Sequence, residues 1–225
     1  MEARTVRTIT GRTGLMSADY SQYGEQQYIF EALGGKPPSS IFRGRFLDIG
    51  AFHPTDLSNT RALYEIGWSG VMIDGAPGPL QSLIRVYGKD PRISLVSGFV
   101  GFPEQLAKVH VTDDCVSTTE EPEYEKLRSS VVFTGSLYVP IISLSQVFDT
   151  FGPQFDFVNV DTEGTSVDVF RQMLCHREFW AKRFRPACVC VEYNNRLAEV
   201  RQLALDAGYE AVHQNSTNII FRGAK

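Results

Sequence analysis

Arg45-Phe46-Leu47-Asp48-Ile49-Gly50-Ala51-Phe52-His53-Pro54 is an apolar run that ends in an acid and a glycine. A second apolar run closed by an acid, Gly70-Val71-Met72-Ile73-Asp74, follows one strand-helix-strand unit later. This is how a nucleotide-binding βαβ unit begins. A glycine at the end of the first strand lets backbone approach a ligand closely, and an acid closing the second can take both hydroxyls of a ribose.

Outward from this stretch, the pattern continues as alternating strands and helices. Ser21 to Gly35 has Tyr28, Ile29 and Leu33 on one side and reads as a helix closed by glycines, followed by a loop at Lys36-Pro37-Pro38-Ser39-Ser40. Ser58 is placed to cap a short helix carrying Ala62, Leu63 and Ile66, which Gly67 stops. Strands are expected at 45–49, 70–74, 93–96, 155–160 and 187–191. Helices are expected over 79–86, from Ser143 through Phe151, and around Val167, Phe170, Met173 and Leu174. A last helix carries Leu197, Val200, Leu203 and Ala204 and stops at Gly208. Residues 102–142 break this rhythm with a polar, acidic segment, Thr112 to Glu121, and two β-rich pieces. An insertion of that length is usually a lid or substrate platform. Tyr209–His213 and Asn218–Phe221 are close enough to pair antiparallel. The expectation is therefore an α/β fold whose mostly parallel sheet ends in a reversed strand.

The chain has 225 residues, 43% of them apolar, enough for one sizeable core. Residues 1–16 have no periodic apolar pattern and read as a flexible tail, leaving 17–225 as a single domain. The formal net charge of −4, with acids and bases interspersed, provides no basic field for nucleic acid or an anionic membrane. No apolar run approaches the ~20 residues of a membrane span. Cys115, Cys175, Cys188 and Cys190 form no CxxC pair, which suits a reducing cytoplasm. Cys188 and Cys190 alternate and are expected on one face of a buried strand, with no metal. His110 and His213 read as packing or surface residues.

The sequence resembles the FkbM-type S-adenosylmethionine-dependent methyltransferases. The resemblance rests on Ser21-Gln22-Tyr23-Gly24-Glu25, on Asp48 to Pro54 with Ser58-Asn59-Thr60, on Leu63-Tyr64 and Gly67 to Gly70, and on Ile73-Asp74. It extends through Ser117-Thr118, Phe155 to Gly164 and Asn218 to Phe221, from about Ser21 to the C-terminus. It implies a class I methyltransferase, Rossmann-like fold with a seven-stranded, mostly parallel sheet, an antiparallel C-terminal strand and a β-rich insertion at about 102–142. It also implies S-adenosylmethionine as cofactor. Asp48, Gly50 and Ala51 are expected beside its methionine part, Asp74 on the ribose, and Ser97 and Phe99 near the adenine, with Gln22 and Glu25 closing the N-terminal side and Asp161 at the carboxyl end of its strand. Two positions depart from the pattern: Phe52 stands where many such enzymes have another glycine, and Ala76 where an asparagine often precedes Pro77.

Methyl transfer to an alcohol requires a base to take the hydroxyl proton. His53, just past the cofactor loop, is one candidate, and bracing of that loop before Pro54 is its alternative role. Asp161 and Glu163 are the others. With Glu192 they form a possible divalent-cation set, although metal is not the favoured reading. Ser117, Thr118 and Thr119 are candidates for the acceptor side. The expected activity is O-methylation of a hydroxyl on a sugar, glycan or secondary metabolite, in the cytoplasm, with no nucleic-acid or membrane partner. A nicotinamide-dependent oxidoreductase is the competing enzyme, disfavoured by the missing GxGxxG. A catalytically silent module that keeps the fold is the non-enzymatic alternative.

Overall fold

The computed structural model describes residues 18–34, 43–112, 117 and 121–223. The expected tail, the loop at 36–40, and Cys115, Thr118 and Thr119 lie outside the described residues. The chain begins with α1 (Glu25–Ala32), β1 (Arg45–Ile49), α2 (Arg61–Glu65), β2 (Ser69–Asp74), α3 (Pro77–Tyr87) and β3 (Ile93–Ser97). The insertion supplies β4 (Phe99–Val100), β5 (Gln105–Thr112), α4 (Glu121–Leu127) and β6 (Phe133–Ile142). The winding resumes with α5 (Leu144–Phe151), β7 (Phe157–Val160), α6 (Ser166–Cys175), α7 (Arg177–Trp180) and β8 (Cys188–Glu192). It closes with α8 (Leu197–Asp206), β9 (Tyr209–Gln214) and β10 (Asn218–Gly223).

The main sheet has seven strands in the order β3-β2-β1-β7-β8-β10-β9. Its pairs from β3 to β8 are parallel, whereas β10 runs antiparallel to both neighbours. The chain leaves β1 towards β2 on one side and returns later to lay β7 on the other. That reversal opens a crevice beyond the carboxyl ends of β1 and β7, where open α/β sheets bind ligands.

Helices cover both faces, so the central strands are apolar on both sides. Leu47 and Ile49 of β1 pack with Val147 of α5, Phe170 of α6 and Val200 of α8. Phe46 points the other way, into a second cluster with Ile29 of α1, Leu63 of α2 and Leu83 of α3. Cys188 and Cys190 lie together in that second cluster, and burial pushes both thiols well up, so they act as small apolar groups.

Ser143 caps α5 as expected and shares a reciprocal capping box with Gln146. At α2 the N-cap position falls instead to Thr60, whose side chain makes no capping bond. Ser58 still serves the helix start, because its hydroxyl accepts the Arg61 N–H at 3.1 Å. The insertion starts earlier than expected, at Phe99, and forms a separate three-stranded sheet, β4-β6-β5. Its long strand β5 was not anticipated. Leu106 there is exposed while His110 and Thr112 are buried, so the polarity pattern runs against the burial pattern.

Candidate functional site

Beyond the carboxyl ends of β1, β2 and β7 lies a cavity of about 90 Å³. It brings together Gln22, Asp48, Gly50, Ala51, Asp74, Phe99, Asp161 and Glu163 among the expected residues. Gly50 sets its floor. The glycine N–H donates to the Ile73 carbonyl at 2.9 Å and φ is +85°; an added Cβ would sit 1.6 Å from the Asp161 carbonyl oxygen. Only glycine fits where two parallel strands end this close together.

Asp74 closes β2 with its carboxylate in the cavity wall. Its two oxygens accept the N–H groups of Phe52 at 3.0 Å and Ala76 at 2.8 Å. Burial outweighs these bonds and raises its pKa to about 6. Each oxygen keeps lone-pair capacity for a hydroxyl donor. The departure at position 52 has a structural counterpart: Phe52 adopts φ +42°, the left-handed region glycine favours, and Leu57 in the same loop has φ +59°. Non-glycine residues held there mark a strained loop over the cavity.

Asp48 is a hub rather than an open ligand. It accepts the Thr60 hydroxyl and, at 2.9 Å, the Asn159 side-chain N–H. Asn159 in turn accepts the Asn59 amide at 3.0 Å. Burial raises the Asp48 pKa, against the pull of those two bonds. The Asn59 Oδ1 is buried with no hydrogen-bond partner among the described residues, and Asn59 lines the cavity. Neither asparagine was singled out as a site residue. Asn159 had a signal, being the polar residue in the strand run Phe157-Val158-Asn159-Val160.

At the end of β7, Asp161 meets Glu163 and Glu192. One carboxylate oxygen from each lies within 4.8 Å of the others. Burial and then the charges of Glu192 and Glu163 drive the Asp161 pKa well up. Glu163 has φ +45°, and the Ser166 hydroxyl donates to Glu192 at 3.0 Å. The oxygen set is of the type that takes Mg²⁺ or Ca²⁺. Protonation of Asp161 relieves the same crowding without a cation.

Three expected residues stand elsewhere. His53 does not line the cavity: its Nδ1 accepts the N–H groups of Asp56 at 3.0 Å and Thr55 at 3.3 Å. An acceptor Nδ1 leaves the neutral ring's proton on Nε2, so neither nitrogen is positioned as a base; the histidine braces the turn. Glu25 is fully buried and faces the C-terminal hairpin, accepting from Asn215 at 2.7 Å, Asn218 at 2.8 Å and the Tyr23 N–H at 2.7 Å. Its carboxylate is consumed by protein donors, which removes it from the cofactor wall. Ser97 is exposed at the end of β3 and is not in the cavity lining, unlike Phe99 two residues on. Gln22 does reach the cavity, because the Ser58 N–H donates to the Tyr20 carbonyl at 2.9 Å and draws this segment across the 52–60 loop.

The fold is similar to that of methyltransferase FkbM from Methylobacillus flagellatus KT. The TM-score is 0.51 at 13% identity, covering 82% of this chain and 45% of that one. The chain thus spans less than half the length of that protein. The pre-rRNA processing protein fibrillarin of Methanococcus jannaschii aligns over 97% of this chain and 84% of its own, at 12% identity and TM-score 0.48. Comparison with curated proteins finds no sequence match. The described elements form a class I, Rossmann-like methyltransferase fold, and no helix among them is long and apolar enough to cross a membrane. The family model for the methyltransferase FkbM domain matches residues 48–211, from the hub aspartate through most of the sheet, and the chain belongs to that family.

Proposed function

We propose that this protein is an S-adenosylmethionine-dependent O-methyltransferase acting on a hydroxyl of a sugar, glycan or secondary metabolite. The observation that carries the reading is the pairing of Gly50, which nothing larger can replace, with Asp74, whose carboxylate closes the neighbouring strand in the same cavity. The residues fit such a cofactor: Asp74 for ribose hydroxyls, Ala76, Pro79 and Phe99 for an adenine, and Asn59 Oδ1 as a buried acceptor for an ammonium group. Gln22 and the loop that holds Phe52 and Leu57 in left-handed backbone border the way into this cavity.

When bound, the sulfonium supplies an electrophilic methyl group for in-line transfer. The chain holds the acceptor oxygen about 3 Å away and excludes water. Asp161 is the base this geometry favours. Burial, and then the charges of Glu192 and Glu163, raise the proton affinity of its carboxylate, and in its ionised form it can take a proton from an alcohol in the cavity it lines. The oxidoreductase reading lacks a GxGxxG turn.

The deciding experiment is a screen of hydroxylated acceptors with S-adenosylmethionine, reading S-adenosylhomocysteine formation with and without chelator, beside equilibrium binding of S-adenosylhomocysteine and NADH. Tight NADH binding without S-adenosylhomocysteine binding would sink the methyltransferase reading.

A further inference from the structure

Asp48, Thr60, Asn159 and Asn59 are joined by hydrogen bonds that all run one way. Asp48 accepts at both oxygens, taking the Thr60 hydroxyl on one and the Asn159 Nδ2 at 2.9 Å on the other. Asn159 must therefore turn its amide nitrogen to Asp48, which leaves its Oδ1 for Asn59. The Asn59 Nδ2 donates to that oxygen at 3.0 Å and lies 3.7 Å from the Cys190 sulfur. A carboxylate only accepts, whereas an amide has one accepting and one donating end, so each link fixes the orientation of the next. The acid at the head of this relay decides which end of Asn59 is left over.

That end is Oδ1. It is shut off from water and has no hydrogen-bond partner among the described residues, and Asn59 lines the same cavity as Gly50 and Asp74. Asp48, Asn159 and Asn59 are each more than nine-tenths buried, so the oxygen has no solvent to fall back on. A buried carbonyl oxygen without a donor is unfavourable by itself. Turning the Asn59 amide over would not relieve it, because two amide oxygens would then face each other across the Asn59–Asn159 contact. A relay that starts on an acid polarises its amides in one direction and strengthens the last oxygen as an acceptor. Its complement is a ligand N–H, and a cationic one above all, since charge-assisted hydrogen bonds are the stronger kind.

We propose that Asp48 and Asn159 are positioning residues that hold the Asn59 carbonyl oxygen as the acceptor for the primary ammonium of the cofactor's amino-acid part, so that the site selects a nucleoside carrying this cation over one that lacks it. The proposal rests on the S-adenosylmethionine reading and names the side chains that orient one end of that ligand. Asp48 acts here through Asn159 and Asn59.

The test is equilibrium binding of S-adenosylhomocysteine and of its deamino analogue, identical except that hydrogen replaces the amino group, with urea unfolding of each variant as the check on folding. Wild type is expected to bind S-adenosylhomocysteine at least tenfold more tightly than the analogue. Asn59→Leu and Asn159→Leu each lower that ratio at least fivefold while affinity for the analogue stays within threefold. A merely loosened site would weaken both ligands alike. Asn159→Asp keeps the ratio within threefold of wild type, because an oxygen still faces Asn59 whichever of the two carboxyls holds their shared proton, and it decides the matter if Asn159→Leu does not fold. Thr60→Val removes the other donor to Asp48, leaves the relay intact and keeps the ratio within twofold. A ratio unmoved by Asn59→Leu, a fivefold fall in Asn159→Asp, or a fall in Thr60→Val as large as in Asn159→Leu overturns the proposal. Binding of both ligands by wild type with a ratio near one overturns this proposal alone, whereas binding of neither overturns the cofactor reading and this proposal with it.

Discussion

Gly50→Ala is the sharpest perturbation the structure offers. The new methyl would lie 1.6 Å from the Asp161 carbonyl oxygen, where ordinary contact begins at 3.4 Å, so the two strand ends must separate by nearly the difference. Such a movement breaks the Asp161 N–H to Ile49 bond across β1 and β7, which is 2.9 Å long and worth about 1 kcal/mol net. A left-handed φ of +85° adds roughly 1–2 kcal/mol for any side chain. The expected loss is about 2–3 kcal/mol, measured as a lower urea midpoint at unchanged slope. S-adenosylhomocysteine affinity falls at least tenfold in the folded fraction, because Asp161 moves with the strand end. Gly78→Ala is the control: nothing lies within 4 Å, it stands in the first turn of α3, and its stability should be unchanged or slightly improved. If Gly50→Ala unfolds within 1 kcal/mol of wild type, the close approach of β1 and β7 is wrong.

Asp74 predicts a pH effect. Its folded pKa of about 6 exceeds the ordinary 3.8, so its contribution is full below pH 3.8 and is lost as pH rises through 6. At 1.36 kcal/mol per pKa unit the loss is about 3 kcal/mol. In Asp74→Asn the stability decline between pH 4 and 6 should shrink by about that amount, and S-adenosylhomocysteine affinity should fall; an unchanged urea-midpoint profile refutes the buried carboxylate. His53→Ala should cost about 1 kcal/mol and leave turnover within twofold, since two turn N–H groups lose their acceptor. A hundredfold fall in turnover at intact cofactor affinity would restore it as the base. Glu25→Ala strands the Asn215 and Asn218 amides and should lower stability by about 3 kcal/mol in urea unfolding. A loss under 1 kcal/mol would mean that water replaces the carboxylate.

Strands β1 and β2 were legible because burial on both faces forces an unbroken apolar run, and the crevice forces the acid and glycine that end each run. Gly50 and Asp74 stand at those ends, Asp161 and Glu163 at the end of the β7 run, and the family resemblance supplied their expected roles. β5 was opaque because Leu106 faces outward and His110 inward, where it meets Glu121 at 2.8 Å. The Asp48–Asn159 bond spans 111 residues, so no local pattern could announce it. His53 was expected as a base from its place past the cofactor loop and Glu25 as a cofactor residue from the family resemblance, whereas their roles are decided by donors. For His53 those are the backbone amides of its own turn, and for Glu25 they include amides at the far end of the chain.

Glu25 also orders events in time. Its partners Asn215 and Asn218 emerge from the ribosome some 190 residues after it, at about 5–20 residues per second. Until the β9–β10 turn exists, α1 lacks the anchor that the Glu25 carboxylate makes to it. The nascent chain can therefore wind the parallel core first, and α1 is among the last pieces to settle.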